Sequence, residues 1–327
     1  MLSLFRTNQI LANVLLLAYI ALVRSSFLFV PSATVFKPQG IYSYEISHWI
    51  GTQHWIEPFV AALVIFIQAI SINVLCFKYR MSDEKTLFAG IFYILMVSIC
   101  PDFMGLSSPL LAVTFIILAF IELFSSYRQG VASGNIFNVG LMLGISSMFC
   151  FSISTYLIWA FIGLSILRKG SLKEISMVLV GFFTVYFLVG TFYFVLNRYD
   201  FFWNEQISKN IRFLNFTGEN NWISYGIRLV YALLIGLSIV SQGFYSSKKS
   251  IQVQKFQTVL YWSLIIAAAP LLIQSNVSTH NLVLLAPTLA IFVTYHFLQF
   301  ERQMAEAVHL ICLAIVLALQ YHSWLGF

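Results

Sequence analysis

Apolar residues in this chain gather into long runs divided by short polar breaks, at about 9–30, 58–77, 87–100, 107–124, 136–152, 154–167, 175–197, 223–243, 256–273, 281–299 and 305–325. A helix needs about 20 apolar residues to cross a hydrocarbon layer of about 30 Å, and most of the runs approach that length. The pattern predicts an all-α polytopic integral membrane protein of about 11 transmembrane helices, forming a single transmembrane domain over 1–327. Between 136–152 and 154–167 only Ser152 to Thr155 intervenes, so this pair reads either as two helices or as one bent helix. The run 87–100 is short for a full crossing, which predicts that Pro101 ends it inside protein rather than lipid.

Composition sharpens this picture. Of the 327 residues 60% are hydrophobic and 9% charged, where soluble domains carry about 25% charged residues. Lys and Arg of short loops mark the cytoplasmic side. With the N-terminus and Arg6 in the cytoplasm, the inner connections are 78–85, 125–130, 168–174, 246–255 and 299–303, and each carries a cation. The outer face then receives 31–57, 101–109, 275–281 and the large loop 198–222. That last loop sets Arg198, Lys209 and Arg212 against Asp200, Glu205 and Glu219, a departure from the rule that marks it for function.

The net charge of +6 thus sits in loops facing headgroups. Membrane lipids are the implied partner, and nucleic acid is not. No P-loop or GxGxxG is present, so nucleotide-driven transport by this chain alone is unsupported. Cys76, Cys100, Cys150 and Cys312 have no CxxC spacing and read as packing residues. Asn215-Phe216-Thr217 matches a glycosylation acceptor. A first run with no small-residue cleavage pattern, and no cysteine pairs in the outer loops, point instead to a multi-pass protein of the bacterial inner membrane.

Candidate chemistry begins in the first outer loop, 31–57, with YSYEISHWIGTQHWIEPF (42–59). On helices Glu45 and His48 share one face, as do His54 and Glu57, with Gly51 between them. Tyr42, Tyr44, Trp49 and Trp55 suit headgroup depth, so two short interfacial helices hinged at Gly51 are expected. Three readings stand: polar faces of an interfacial re-entry, a metal site of the Glu-x-x-His kind, or a catalytic carboxylate at the mouth of a membrane cavity. Metal sites of that kind need further carboxylates from facing spans, and none is visible. No metal or cofactor is predicted, with a divalent ion as the weakest of the three readings.

Ionisable residues within spans face cavities or partners more often than lipid. Arg24 and Arg228 lie at similar depth near the outer ends of their runs. Either they snorkel to headgroups or their planar forks bind a lipid phosphate. Asp102, His280 and Asn281 point to the same side, where turn and cap roles compete with chemistry. Glu122, near the inner end of its run, is expected to pair with Arg128.

The stretches MLSLFRTNQILANVLLLAYIALVR, QAISIN (68–73), NIFNVGLMLGISSMF (135–149) and HNLVLLAPTLAIF (280–292), with the Ser-Ser-Pro head of the fourth run, resemble an uncharacterised family of multi-spanning bacterial inner-membrane proteins. More distantly, the layout resembles the GT-C superfamily of polyprenyl-phosphate-dependent glycosyltransferases. That resemblance implies a cytoplasmic N-terminus and interfacial helices in the first outer loop. It also implies Glu45 as base, Asp102 as second acid, and Arg24 or Arg228 as ligands of a lipid phosphate, with His48, His54, Glu57, His280 and Asn281 in support. The superfamily often places paired acids in the first loop, whereas Glu45 stands without an adjacent acid. The leading expectation is a transferase of a lipid-phosphate-linked glycosyl group at the periplasmic face. The alternatives are a non-enzymatic scaffold subunit with protein partners in an envelope complex, or a secondary transporter whose ninth and tenth helices break at Pro270 and Pro287.

Overall fold

The computed structural model describes residues 5, 10–28, 36–50, 56–82, 86–210, 222–241, 249–273 and 279–325. Its regular elements among these residues are helices, joined by turns and by one isolated bridge between Gln39 and Cys150. Helices α1 (Ile10–Val23), α2 (Ile41–Ile50), α3 (Ile56–Lys78), α4 (Phe88–Met96), α5 (Ser108–Ser125), α6 (Ser133–Phe149) and α7 (Tyr156–Leu167) are followed by α8 (Leu172–Val195), α9 (Tyr199–Trp203), α10 (Trp222–Val240), α11 (Ile251–Ile273), α12 (Ala286–Gln299) and α13 (Arg302–Leu325). Each apolar run of the sequence holds one helix, and α2 and α9 occupy the loops 31–57 and 198–222. Ile56–Lys78, Ser108–Ser125, Leu172–Val195 and Arg302–Tyr321 are long and apolar enough to cross a membrane, and Ala12–Val23, Phe151–Leu167 and Ser224–Val240 are shorter apolar helices.

The ambiguous pair resolves into two helices. A 3-10 turn, Phe151–Thr155, separates α6 from α7, and Cys150 is extended between them. The short run became α4, in which every residue is buried, as expected of a helix ending inside protein.

Helix ends follow from local chemistry. Ser171 and Glu174 form a reciprocal capping box at the start of α8, and Arg168 pairs with Glu174 at 2.7 Å while donating to the Ser126 and Gln129 carbonyls. At the other end of α8, Asn197 takes a left-handed conformation (φ 55°), the Arg198 amide donates to the Tyr193 carbonyl, and the Asn197 amide donates to that of Phe194. This is a Schellman closure, and it leaves Arg198 beside the last turn of the helix. Arg128 lies over the Tyr127 ring at 5.3 Å and makes no ion pair with Glu122, contrary to expectation. Pro287 sits in the first turn of α12, where its missing N–H costs nothing, so it starts this helix rather than breaking it.

The tightest packing joins α6 to α8. A Cβ on Gly140 would lie 2.0 Å from the Val178 carbonyl oxygen, one on Gly144 2.8 Å from that of Phe182, and one on Gly181 2.3 Å from that of Phe137. In apolar surroundings helices gain mainly from close backbone approach, which small residues at i and i+4 permit.

Gly140→Ala should therefore destabilise the protein by about 1–3 kcal/mol through overpacking. Gly134 in the same helix has open space where a methyl group would go, with nothing within 4 Å, so Gly134→Ala should be neutral or slightly stabilising, alanine being the better helix former. Thermal unfolding in detergent, compared between the two variants, checks this.

Candidate functional site

Between α4 and α5 the chain leaves helical geometry. Pro101–Met104 form a 3-10 turn and Gly105 is extended, so several backbone groups have no helical partner although the residues around them are buried. Side chains from distant elements meet these groups. Arg24, following α1 and 1% exposed, donates from Nη2 to the Phe103 carbonyl at 3.1 Å and to the Met104 carbonyl. Among the described residues its Nε and Nη1 are buried with no hydrogen-bond partner. Glu57 accepts the Leu106 amide at 2.9 Å through Oε1. It lies in the first turn of α3, not in a second interfacial helix, and its charge faces the positive end of that helix. The ring of His280 lies 5.9 Å from that of Phe103. Ser107 caps α5, accepting the Leu110 amide. The Ser108 hydroxyl donates to the Lys37 carbonyl and accepts the Gln39 amide.

Four of the residues singled out in the sequence thus gather on one turn: Arg24, Glu57 and His280 by side chain, and Asp102 by chain position. The side chain of Asp102, and all of His54, lie outside what the structure describes. Asn281 is buried in the 3-10 turn Thr279–Leu284.

Glu45 is placed differently. Its helix, α2, is fastened by buried polar bonds at its start. The Ile41 amide donates to Gln206 Oε1 at 2.9 Å, Gln206 Nε2 donates to the Ser147 carbonyl at 2.8 Å, and the Ser43 hydroxyl reaches the Phe149 carbonyl at 3.0 Å. Gln206, fully buried, comes from the π-helical turn Asn204–Ser208 that continues α9. Burial pushes the Tyr42 phenol above its ordinary pKa, so it stays protonated. Helical rise of about 1.5 Å per residue carries Glu45 roughly 6 Å beyond Ile41, where it and His48 are exposed. There the Tyr193 hydroxyl donates to Glu45 Oε1 at 2.7 Å. The carboxylate opens on a cleft of about 670 Å3 lined by Tyr42, Leu188, Val189, Phe192, Tyr193, Leu196 and Arg198.

Arg228 is half-buried on α10, its guanidinium 5.5 Å from the Tyr225 ring. No hydrogen bond or ion pair joins Glu45, Arg24 and Arg228 to one another. Sequence reasoning missed Gln206, Tyr193 and Arg198 as partners of the Glu45 region. For Gln206 and Arg198 the signal was the mixed charge of the loop 198–222, whereas Tyr193, inside α8, carried none. Among the described residues no three His, Cys, Asp or Glu side chains converge as metal ligands would.

No protein-family model matches the chain, and no curated protein matches it in sequence. Among solved structures it is similar to the crystal structure of ArnT from Cupriavidus metallidurans bound to undecaprenyl phosphate, with a TM-score of 0.51 at 13% identity. The likeness covers 92% of this chain and 58% of that one, so the chain spans under two thirds of ArnT's length. At this identity the similarity is one of fold. It agrees with the distant GT-C resemblance and, with the apolar helices, makes the chain a multi-pass membrane protein.

Arg24→Leu should lower the yield of folded protein and its unfolding temperature, since it strips two buried carbonyls of their donor at a cost of about 1–3 kcal/mol each. Arg24→Lys should recover part of the loss. Unfolding temperatures of the two variants in detergent check the clamp, and wild-type stability of Arg24→Leu would refute it.

Proposed function

We propose that this protein is a GT-C-like transferase of a group carried on a lipid phosphate, working at the periplasmic face of the bacterial inner membrane. The observation that carries the reading is the fold likeness, through 92% of the chain, to a protein crystallised with undecaprenyl phosphate. A polyprenyl-phosphate-linked donor is the corresponding substrate class. Glu45 supports the reading because Tyr193 holds one carboxylate oxygen while Oε2 has no partner among the described residues and faces an open cleft. Such a group takes a proton from, or orients, an acceptor hydroxyl. Arg24 supports it because a buried guanidinium with two nitrogens unpartnered among the described residues lacks an anion there. Arg24, or Arg228, would neutralise the leaving phosphate, with Asp102 as a second acid on the same turn, so that positioning and charge neutralisation supply most of the catalysis.

A second reading, a non-enzymatic scaffold in an envelope complex, is favoured by one fact: both hydrogen bonds of Arg24 go to backbone carbonyls, as those of a structural clamp do.

Glu45→Gln keeps the shape of an exposed side chain and removes the proton acceptor. A transferase predicts that cells lacking the protein are not rescued by this variant although it accumulates normally, general-base loss being a factor of about 10² to 10⁴. A scaffold predicts full rescue by Glu45→Gln, with Trp49→Ala lowering the folded amount instead. The sidedness is checked by thiol labelling: cysteines at the exposed positions Lys37 and His48 should react from the periplasm, whereas Lys169→Cys should not.

A further inference from the structure

The cleft beside Glu45 has a feature that catalysis does not require. Glu45 and Arg198 line the same space, yet neither touches the other, and among the described residues the Arg198 guanidinium makes no hydrogen bond or ion pair. Two opposite charges thus face a shared gap. Below them the wall is apolar: Leu188, Val189, Phe192 and Leu196. It continues into the exposed face of α8, where Phe187 is 71% and Phe194 68% exposed, surface that suits acyl chains. The polar end sits among exposed aromatic residues, Trp49, Tyr199 and Trp203, of the kind that collect at headgroup depth.

We propose that this cleft is a binding site for a zwitterionic aminophospholipid, a diacyl lipid with a phosphoethanolamine headgroup. Its phosphate meets the planar fork of Arg198, its primary ammonium donates to Glu45 Oε2, and one acyl chain lies along Leu188, Phe192 and Leu196. The order of charges selects the lipid. A headgroup with phosphate alone satisfies Arg198 and leaves Glu45 beside a like charge. A quaternary ammonium has no N–H to give Glu45, so it leaves that carboxylate without a donor. The lipid source, rather than free phosphoethanolamine, follows from the apolar wall. The site stands whatever reaction the protein performs, because the readout is lipid retention.

The experiment uses the full chain, delipidated in detergent, titrated with dioleoyl phosphatidylethanolamine, phosphatidylcholine or phosphatidylglycerol and read by thermal unfolding and by native mass spectrometry of retained lipid. Phosphatidylethanolamine should act at about two- to fivefold lower concentration than the other two, the scale of one exposed charged pair. Glu45→Gln should erase that preference, and Arg198→Gln should weaken retention of all three. Equal potency of the three lipids, a preference for phosphatidylglycerol, or unchanged retention in Arg198→Gln would overturn the site. Should Glu45→Gln fail to accumulate, Leu188→Trp, at a position 60% exposed, decides by blocking the acyl chain: lost preference supports the site, and kept preference refutes it. A Glu45→Gln protein that loses function in cells but keeps its phosphatidylethanolamine preference refutes the lipid site and leaves the transferase reading intact.

Discussion

Backbone groups that leave a helix inside apolar protein have no water to turn to, and the turn between α4 and α5 carries several of them. An unpaired buried carbonyl or amide costs about 1–3 kcal/mol, and more where lipid replaces water. Arg24 and Glu57, on either side of the turn, take up the Phe103, Met104 and Leu106 groups. The ends of α1 and α3 are thereby fixed to the head of α5. Through Ser108 the same turn holds Lys37 and Gln39, which lead into α2. The start of α2, and with it Glu45, is thus tied through the head of α5 to the turn that Arg24 holds.

The second constraint is the glycine crossing of α6 and α8. Because backbone meets backbone there, α8 has one face fixed against α6 and the other turned outward. Phe183, Phe187, Leu188 and Phe192 are more than half exposed. Near its end Tyr193 turns inward to Phe202 while its hydroxyl reaches Glu45. A closely packed wall and a tethered short helix then bound one cleft, an arrangement in which exposed side chains project from elements fastened by buried contacts. Gln206 shows the same logic at the other end of α2, where one buried amide satisfies the Ile41 N–H and the Ser147 carbonyl together.

Helix positions were legible because membrane helices are written in composition: each apolar run became a helix, with ends within five residues except for α1, which stops at Val23, seven residues before its run ends. The fate of Glu57 was not, since a carboxylate three residues after a histidine reads the same at the end of a loop as in the first turn of a span. Deciding between them takes the Leu106 amide, 49 residues away. Arg24 was found as a residue but not as a clamp, because its partners are carbonyls, which every residue carries and no sequence distinguishes. Arg198 was hidden for another reason. Its placement rests on the left-handed Asn197, a closure that glycine usually signals and asparagine signals only weakly. The pairing of Arg128 with Glu122 failed on geometry: Arg128 itself is left-handed, with φ 57°, and its side chain leaves along Tyr127.

Arg24 also bears on which of its two roles dominates. Moving an ion out of water costs several kcal/mol even after relaxation, and hydrogen bonds from a charged donor return about 1.5–3 kcal/mol each. Two bonds to carbonyls bring the balance near zero, and Nε and Nη1 remain unpartnered among the described residues. A neutral glutamine would hydrogen-bond a carbonyl at far less desolvation cost, so the clamp alone does not require a guanidinium. What a guanidinium adds is full charge and a second pair of donors. An anionic oxygen reaching those nitrogens would turn an under-compensated cation into a satisfied one, whereas a lipid without charge would gain nothing there. The turn that organises the helices is in this sense also the place where the protein's charge balance is incomplete.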